Sequence, residues 1–314
     1  MRKFLLRVLL PVIMVLSVLF FLGEFYLRSL PNDFKAKNQY LEEHANDLKI
    51  IVLGASTVSM GIKPAYFDLQ PAYNFGYVSQ SYDYNLLILS KCFDQMDSLK
   101  YVILDMSWNQ PWNCKNGNKD INKNKFYRLY YGFPSFPIEF EMSASVKELF
   151  HRIRPSNGKE AMQTIDEDGY QSGYYEDIPY DEASWVASAS WSVEQCAKRL
   201  RDEAASSKKY KKSVGYMCGI IELCRKKNVQ VIMVTPPAMK MFYAYLDVKQ
   251  TDILYHLADS LEHVYDNVLY LDYFKSDSLF SENELYNPTH LNPRGAKKFT
   301  LMLNDTINKL ENIL

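Results

Sequence analysis

Leu48-Lys49-Ile50-Ile51-Val52-Leu53-Gly54-Ala55-Ser56-Thr57 decides the fold of this chain. Its β-branched, continuously apolar run reads as a buried strand, and the glycine that ends it starts a turn. Ser56 then stands where a strand gives way to a helix, at the carboxyl edge of a sheet, which is where open α/β sheets collect their chemistry.

Four similar runs follow: Ala72 to Phe75 before Gly76, Tyr101 to Leu104 before Asp105, Val229 to Val234 before Thr235-Pro236-Pro237, and Val268 to Leu271 before Asp272. Helical patterns lie between several of them, over Asn85 to Met96, Val214 to Lys227, Asp252 to Val264 and Pro293 to Leu310. Alternation of this kind predicts right-handed βαβ units and a parallel sheet covered on both faces, a three-layer α/β fold. The rhythm lapses between Asn109 and Lys212, so 110–212 reads as an insertion, a lid or substrate-binding subdomain. It is rich in aromatic residues, Tyr127, Tyr130 and Trp185 among them, and the Asp166 to Asp181 stretch is acidic and tyrosine-rich.

The 314 residues, 47% hydrophobic and 23% charged, suffice for one large core with an insertion. A formal net charge of −1 gives no reason to expect nucleic acid. Aromatic residues make up 14% of the chain, which fits a carbohydrate-handling surface and equally a tyrosine-rich lineage. The five cysteines have no C-x-x-C spacing, and no metal motif or phosphate-cradling glycine loop stands out, so no metal and no cofactor is expected.

Val8 to Gly23 carries no charge, and with Phe4 to Leu6 it approaches the roughly 20 residues that span a bilayer. Arg2, Lys3 and Arg7 precede the run and Glu24 follows it, which predicts a cytoplasmic amino terminus and an extracytoplasmic remainder. Without a small-x-small cleavage site, residues 1–30 read as an uncleaved anchor in the cytoplasmic membrane rather than a removed signal peptide. Residues 31–47 read as a polar spacer, and 48–314 as the domain that the insertion interrupts.

A second stretch completes the picture: Asn287-Pro288-Thr289-His290-Leu291-Asn292-Pro293-Arg294-Gly295. Asn292 is a good N-cap and Pro293 suits the first helical position, so His290 lies just before the last helix, near the sheet edge. Gly295 in the first turn lets that helix pack closely. The order Gly54-Ala55-Ser56, Asn74-Phe75-Gly76, a strand ending near Asn109, then His290-Leu291-Asn292 with Gly295 resembles the SGNH (GDSL-type) hydrolase superfamily. The resemblance covers Leu48 to about Asn109 and Val229 to the end. It implies a flavodoxin-like α/β/α fold, Ser56 as nucleophile, His290 as general base, and an oxyanion hole from the backbone N–H groups of Ser56 and Gly76 with the Asn109 amide.

The chain departs from the family pattern at three places. Ala55 replaces an aspartate between glycine and serine. The stretch Asp105-Met106-Ser107-Trp108-Asn109 lacks Gly-x-Asn-Asp, so Ser107 or Trp108 are alternatives to Asn109. Asn287 stands where the family places the aspartate behind the histidine; an asparagine cannot neutralise an imidazolium and can favour the wrong tautomer. Asp272, Glu282 and Glu284 are nearby candidates to supply a carboxylate, Asp272 first.

The resemblance, the anchor and the Thr235-Pro236-Pro237 turn together imply a membrane-tethered esterase or O-acyltransferase. Its substrate would be acyl (acetyl) esters of a cell-surface glycan, and its partners the envelope-polysaccharide machinery. A catalytically silent binding or scaffold subunit is the alternative, with Ser56 as an ordinary helix cap and His290 as a loop-fixing residue; a lipase has only the anchor in its favour.

Overall fold

The computed structural model describes residues 2–113, 126–133, 164–172, 180–201 and 203–313. It divides into two compact units, Met1–Gln39 with Lys115–Gln163, and Tyr40–Cys114 with Thr164–Leu314. Of the 110–212 stretch, 115–163 therefore falls in the first unit, and 110–114 and 164–212 in the second.

In the first unit, helix α1 (Arg2–Ser29) is long and apolar enough over Arg7–Ser29 to cross a membrane. Most of its length is exposed, but Gly23, Glu24 and Leu27 near its end are buried. Leu27 is 1% exposed, and its carbonyl accepts from the Tyr130 hydroxyl at 2.9 Å. Glu24 pairs with both Arg28 and Arg128, and the Arg28 guanidinium donates to the Leu129 carbonyl at 2.7 Å. Apart from the Glu24–Arg28 pair, the partner in these contacts is a single wide turn over Tyr127–Tyr131, closed by Gly132 in a left-handed conformation (φ 74°). Phe34 stacks on Phe126 and meets Tyr127 edge to face. Helix α2 (Asp33–His44) follows α1.

The second unit is built on five parallel strands: β1 (Ile50–Leu53), β2 (Ala72–Asn74), β3 (Tyr101–Asp105), β4 (Gln230–Thr235) and β5 (Val268–Asp272). Their spatial order is β2-β1-β3-β4-β5. This is the doubly wound order of a flavodoxin-like sheet, and the chain reverses direction of winding between β1 and β3, which creates a crevice at their carboxyl ends. β1 and β3 are buried along their whole length, as strands covered on both faces are.

Helices α3 (Ser56–Ser59), α4 (Tyr82–Cys92), α5 (Glu182–Leu200), α6 (Glu203–Arg225), α7 (Lys240–Tyr243), α8 (Val248–Val264) and α9 (Pro293–Ile313) surround the sheet. α9 starts as its sequence prescribes, the Asn292 Oδ1 accepting from Arg294 N and Gly295 N at 3.0 Å each. A Cβ on Gly295 would stand 2.0 Å from the Glu284 carbonyl oxygen, so only glycine permits this approach. α6 begins at Glu203 rather than Val214, and α5 has no counterpart in the sequence reading. α5 is amphipathic with small residues on its buried side; Trp185, Ala189 and Cys196 are each under 5% exposed.

The segment 164–172 returns to the sheet rather than standing off as an acidic surface. Asn74 N donates to the Asp168 carbonyl and Gln171 N to the Ser59 carbonyl, and Lys63 pairs with Asp166 at 2.6 Å. A substrate-binding role for the aromatic residues of the insertion meets a plain obstacle at Tyr127, Tyr130 and Trp185: they are 3%, 8% and 4% exposed, so their faces are spent on packing.

Candidate active site

β1 delivers Ser56 to the crevice through Gly54, whose φ of +153° and lack of a side chain are both required. A Cβ there would lie 2.1 Å from the Asp105 Cβ. Asp105, the last residue of β3, is fully buried and holds the turn from beneath. Its Oδ2 accepts from Ala55 N (2.9 Å), the Thr57 hydroxyl (3.0 Å) and Gln110 Nε2 (2.9 Å), and its Oδ1 from Ser107 N (2.9 Å). These four donors replace water around a carboxylate that would otherwise be costly to bury.

Ser56 is the first residue of α3, and Ala55 occupies the cap position. The serine hydroxyl therefore does not cap its own helix. It lies 2.8 Å from His290 Nε2.

His290 arrives on a short antiparallel pair, β6 (Leu285–Asn287) and β7 (His290–Leu291), rather than on a loop; the register sets Asn287 opposite His290. The Asn287 Oδ1 lies 3.0 Å from His290 Nδ1 and accepts from the Thr289 backbone N–H at 2.9 Å. A backbone N–H can only donate, so the amide oxygen, not the nitrogen, must occupy this position. Facing an acceptor, Nδ1 carries the proton, and the lone pair is left on Nε2 toward Ser56. The Thr289 hydroxyl closes the set, 3.1 Å from Asn287 Oδ1 and 3.0 Å from Nδ1. Asn287 thus fixes the tautomer that a general base requires.

No carboxylate stands behind the imidazole among the described residues. Asp272 is exposed and accepts from Phe274 N; Glu284 takes part in a capping box with Ser281 and pairs with Lys298 at 2.7 Å; Glu282 is exposed. With no anion to favour the charged form, burial pushes the His290 imidazole down to about 4.

The expected oxyanion donors fare differently. The Gly76 N–H donates to Asn74 Oδ1 at 2.9 Å, while Asn74 Nδ2 is held by the Val58 and Ile62 carbonyls at 2.9 and 2.8 Å. Gly76 is thereby committed to bracing the loop after β2, and a Cβ there would crowd Asn74 Oδ1 at 2.9 Å. The Ser56 N–H, at the first turn of α3, has no acceptor among the described residues. Asn109 is half-buried beyond β3, and its side-chain amide likewise makes no hydrogen bond among them. Ser107 and Trp108 are not alternatives to it. Ser107 is buried, bonded to Asp105 and 3.5 Å from the Thr57 hydroxyl, and Trp108 packs against Phe242 and Phe274.

The sequence reading missed Asp105 and Thr289 as organisers of the site. Thr289 had a local signal, since an asparagine two residues ahead readily accepts from its backbone N–H. Asp105 had none: its partner Ala55 is fifty positions away.

No protein-family model and no curated protein matches this chain. Among solved structures, a Bacteroides fragilis protein named as an acylhydrolase is 14% identical, covering 88% of this chain and 97% of its own, with a TM-score of 0.40. A Bacteroides thetaiotaomicron protein named as a GDSL-like lipase is 11% identical, covering 89% of this chain and 100% of its own, also with a TM-score of 0.40. This α/β chain is similar, at low sequence identity, to solved structures of the GDSL hydrolase type.

Proposed function

We propose that this chain is an SGNH-type serine esterase or O-acyltransferase that acts on acyl esters of a cell-surface carbohydrate. The observation that carries the reading is the 2.8 Å approach of Ser56 Oγ to a His290 Nε2 whose lone pair is set by Asn287 and Thr289. Serine needs a neighbouring base to become a nucleophile, and this pair supplies one.

Ser56 Oγ attacks the ester carbonyl while its proton passes to Nε2. The oxyanion is met by the Ser56 N–H and the Asn109 amide, donors of a kind typically worth about 3 kcal/mol each in the transition state. On collapse the imidazolium returns the proton to the leaving sugar oxygen, and the acyl group stays on Ser56. A water or a second sugar hydroxyl, deprotonated by His290, then releases it.

The anchor supports an envelope location, with the amino terminus inside and the α/β unit outside the cytoplasmic membrane. We take α1 as retained, because Glu24, Leu27 and Arg28 are built into the fold around Arg128 and Tyr130. The carbohydrate class and the polysaccharide machinery as partner are carried over from the sequence resemblance.

One observation favours the silent alternative: an imidazole held down to about 4 with no carboxylate behind it is a weak base. Fluorophosphonate labelling of the full-length chain, with the modified residue mapped by mass spectrometry, separates the two. Modification of Ser56 that disappears in His290→Ala is expected; an unlabelled Ser56 at every pH from about 5 to 9 overturns the enzyme reading.

A further inference from the structure

A cleft of about 650 Å³ opens between α6 and α8, on a side of the second unit that neither Ser56, His290 nor Asn287 reaches. Trp112, Ser206, Tyr210, Lys249, Gln250 and His256 are among the residues that line it. Its size falls in the range of small-molecule sites, about 300–1,000 Å³.

Gln250 gives the cleft its chemical character. The residue is 2% exposed, and its Nε2 donates to the Trp108 carbonyl at 2.7 Å. A carbonyl can only accept, so the amide nitrogen must face Trp108 and the orientation of the group is settled. Its Oε1 is then left buried without a donor among the described residues. Buried acceptors are rarely left in this state, so a ligand that brings an O–H or N–H answers a need already present in the fold.

The other walls narrow the ligand class. Tyr210 is half-buried and gives the cleft its aromatic side, braced from behind by the buried Trp112 with ring centroids 5.4 Å apart and tilted by 43°. Lys249 and His256 stand exposed in the lining as donors, and Glu203 and Asp247 stand exposed there as acceptors. A ligand with an apolar C–H face, many hydroxyls and no need for charge neutralisation matches this set: a hexose unit.

We propose that the α6–α8 cleft is a glycan-binding subsite that holds one or two sugar units of the polymer away from the reacting ester, a proposal that rests on the carbohydrate reading above. The Trp108 carbonyl held by Gln250 belongs to the residue before Asn109, so a sugar on Gln250 rests against the segment that leaves β3 for the active edge. Sugar held there keeps one glycan chain bound through successive acyl transfers.

Saturation-transfer NMR on the full-length chain in nanodiscs, with cellobiose, maltose and N,N′-diacetylchitobiose as probes, tests this. Transfer to at least one disaccharide is expected. It should weaken about fivefold in both Gln250→Met and Tyr210→Ala, in keeping with the loss of one hydrogen bond or one ring contact. Tyr210 is half-buried and makes no side-chain hydrogen bond among the described residues, so its variant strands no hydrogen-bonding group, and a urea midpoint close to wild type checks that it is folded. No transfer to any probe, or transfer that persists in both variants, overturns the subsite. Fluorophosphonate labelling reads the reaction separately. A labelled Ser56 without sugar binding leaves the esterase and removes the subsite; cleft-dependent binding with an unlabelled Ser56 does the reverse.

Discussion

Asn287 turns its amide oxygen to His290 Nδ1 at 3.0 Å, held that way by the Thr289 N–H. The contact separates two tasks that an aspartate performs together. Orientation and tautomer are secured, while no described residue compensates the charge. In serine proteases the change from aspartate to asparagine costs about 10⁴ in turnover, largely because the tautomer is wrong. That part of the penalty is avoided here, so Asn287→Asp is expected to raise the fluorophosphonate labelling rate on the order of 10²-fold rather than 10⁴-fold. An unchanged rate would mean that the imidazolium is not what limits the reaction.

The pH dependence follows from the same geometry. Burial lowers His290 from 6.5 to about 4, so the base is neutral over the whole physiological range. The labelling rate should stay flat well below pH 6 and fall only toward 4. In Asn287→Asp the acid limb should move up to about 6 or above, since a carboxylate favours the charged ring. Stability carries the matching sign. Between 6.5 and about 4 the unfolded chain binds a proton that the folded chain refuses, so stability declines as pH falls through that window. His290→Asn should lose this segment of the decline in urea titrations; an identical pH profile would show that His290 is not its source.

The sheet was legible because its strands carry their own signal. Ile50 to Leu53 and Tyr101 to Leu104 are apolar without alternation, which is the mark of a strand buried on both faces. Ser56, His290 and the start of α9 at Asn292 were legible because each sits beside a local punctuation residue, Gly54 or Pro293. What escaped were features made by distant partners. Gly76 reads as an oxyanion donor in sequence, but Asn74, held by the Val58 and Ile62 carbonyls, takes its N–H. α5 escaped because its serines and alanines give a weak apolar stripe, and the substrate-binding reading of the insertion misses that Tyr127 and Tyr130 are buried around Phe34 and Leu27.

Asp105 offers a prediction about positioning. Its four accepted hydrogen bonds tie Ala55, Thr57, Ser107 and Gln110 to one buried carboxylate. Asp105→Asn presents an NH₂ group to at least one donor that then has no acceptor, at a cost of about 1–3 kcal/mol for each buried group stranded. A lower urea midpoint and a lower labelling rate at Ser56 are both expected. Asp105→Asn with full stability and a full labelling rate would show that Ala55 and Thr57 do not need the carboxylate.

Retention of the anchor is testable without any assay of activity. Cleavage after Ser29 would remove Glu24, Leu27 and Arg28, and with them the ion pair to Arg128, the hydrogen bond to the Leu129 carbonyl and the acceptor of the Tyr130 hydroxyl. The guanidinium of Arg128 would lose its carboxylate partner, while its Nε is already buried without a hydrogen-bond partner among the described residues. A stranded buried charge costs about 3–5 kcal/mol, enough to unfold this turn. The protein recovered from cells should therefore contain the peptides before Pro31, require detergent for extraction and resist alkaline carbonate. Glu24→Gln should leave it in the membrane but expose the Tyr127–Tyr131 turn to limited proteolysis. A soluble product whose first residue lies at or beyond Pro31 would show that α1 is a signal segment and that its final turns are dispensable to the fold.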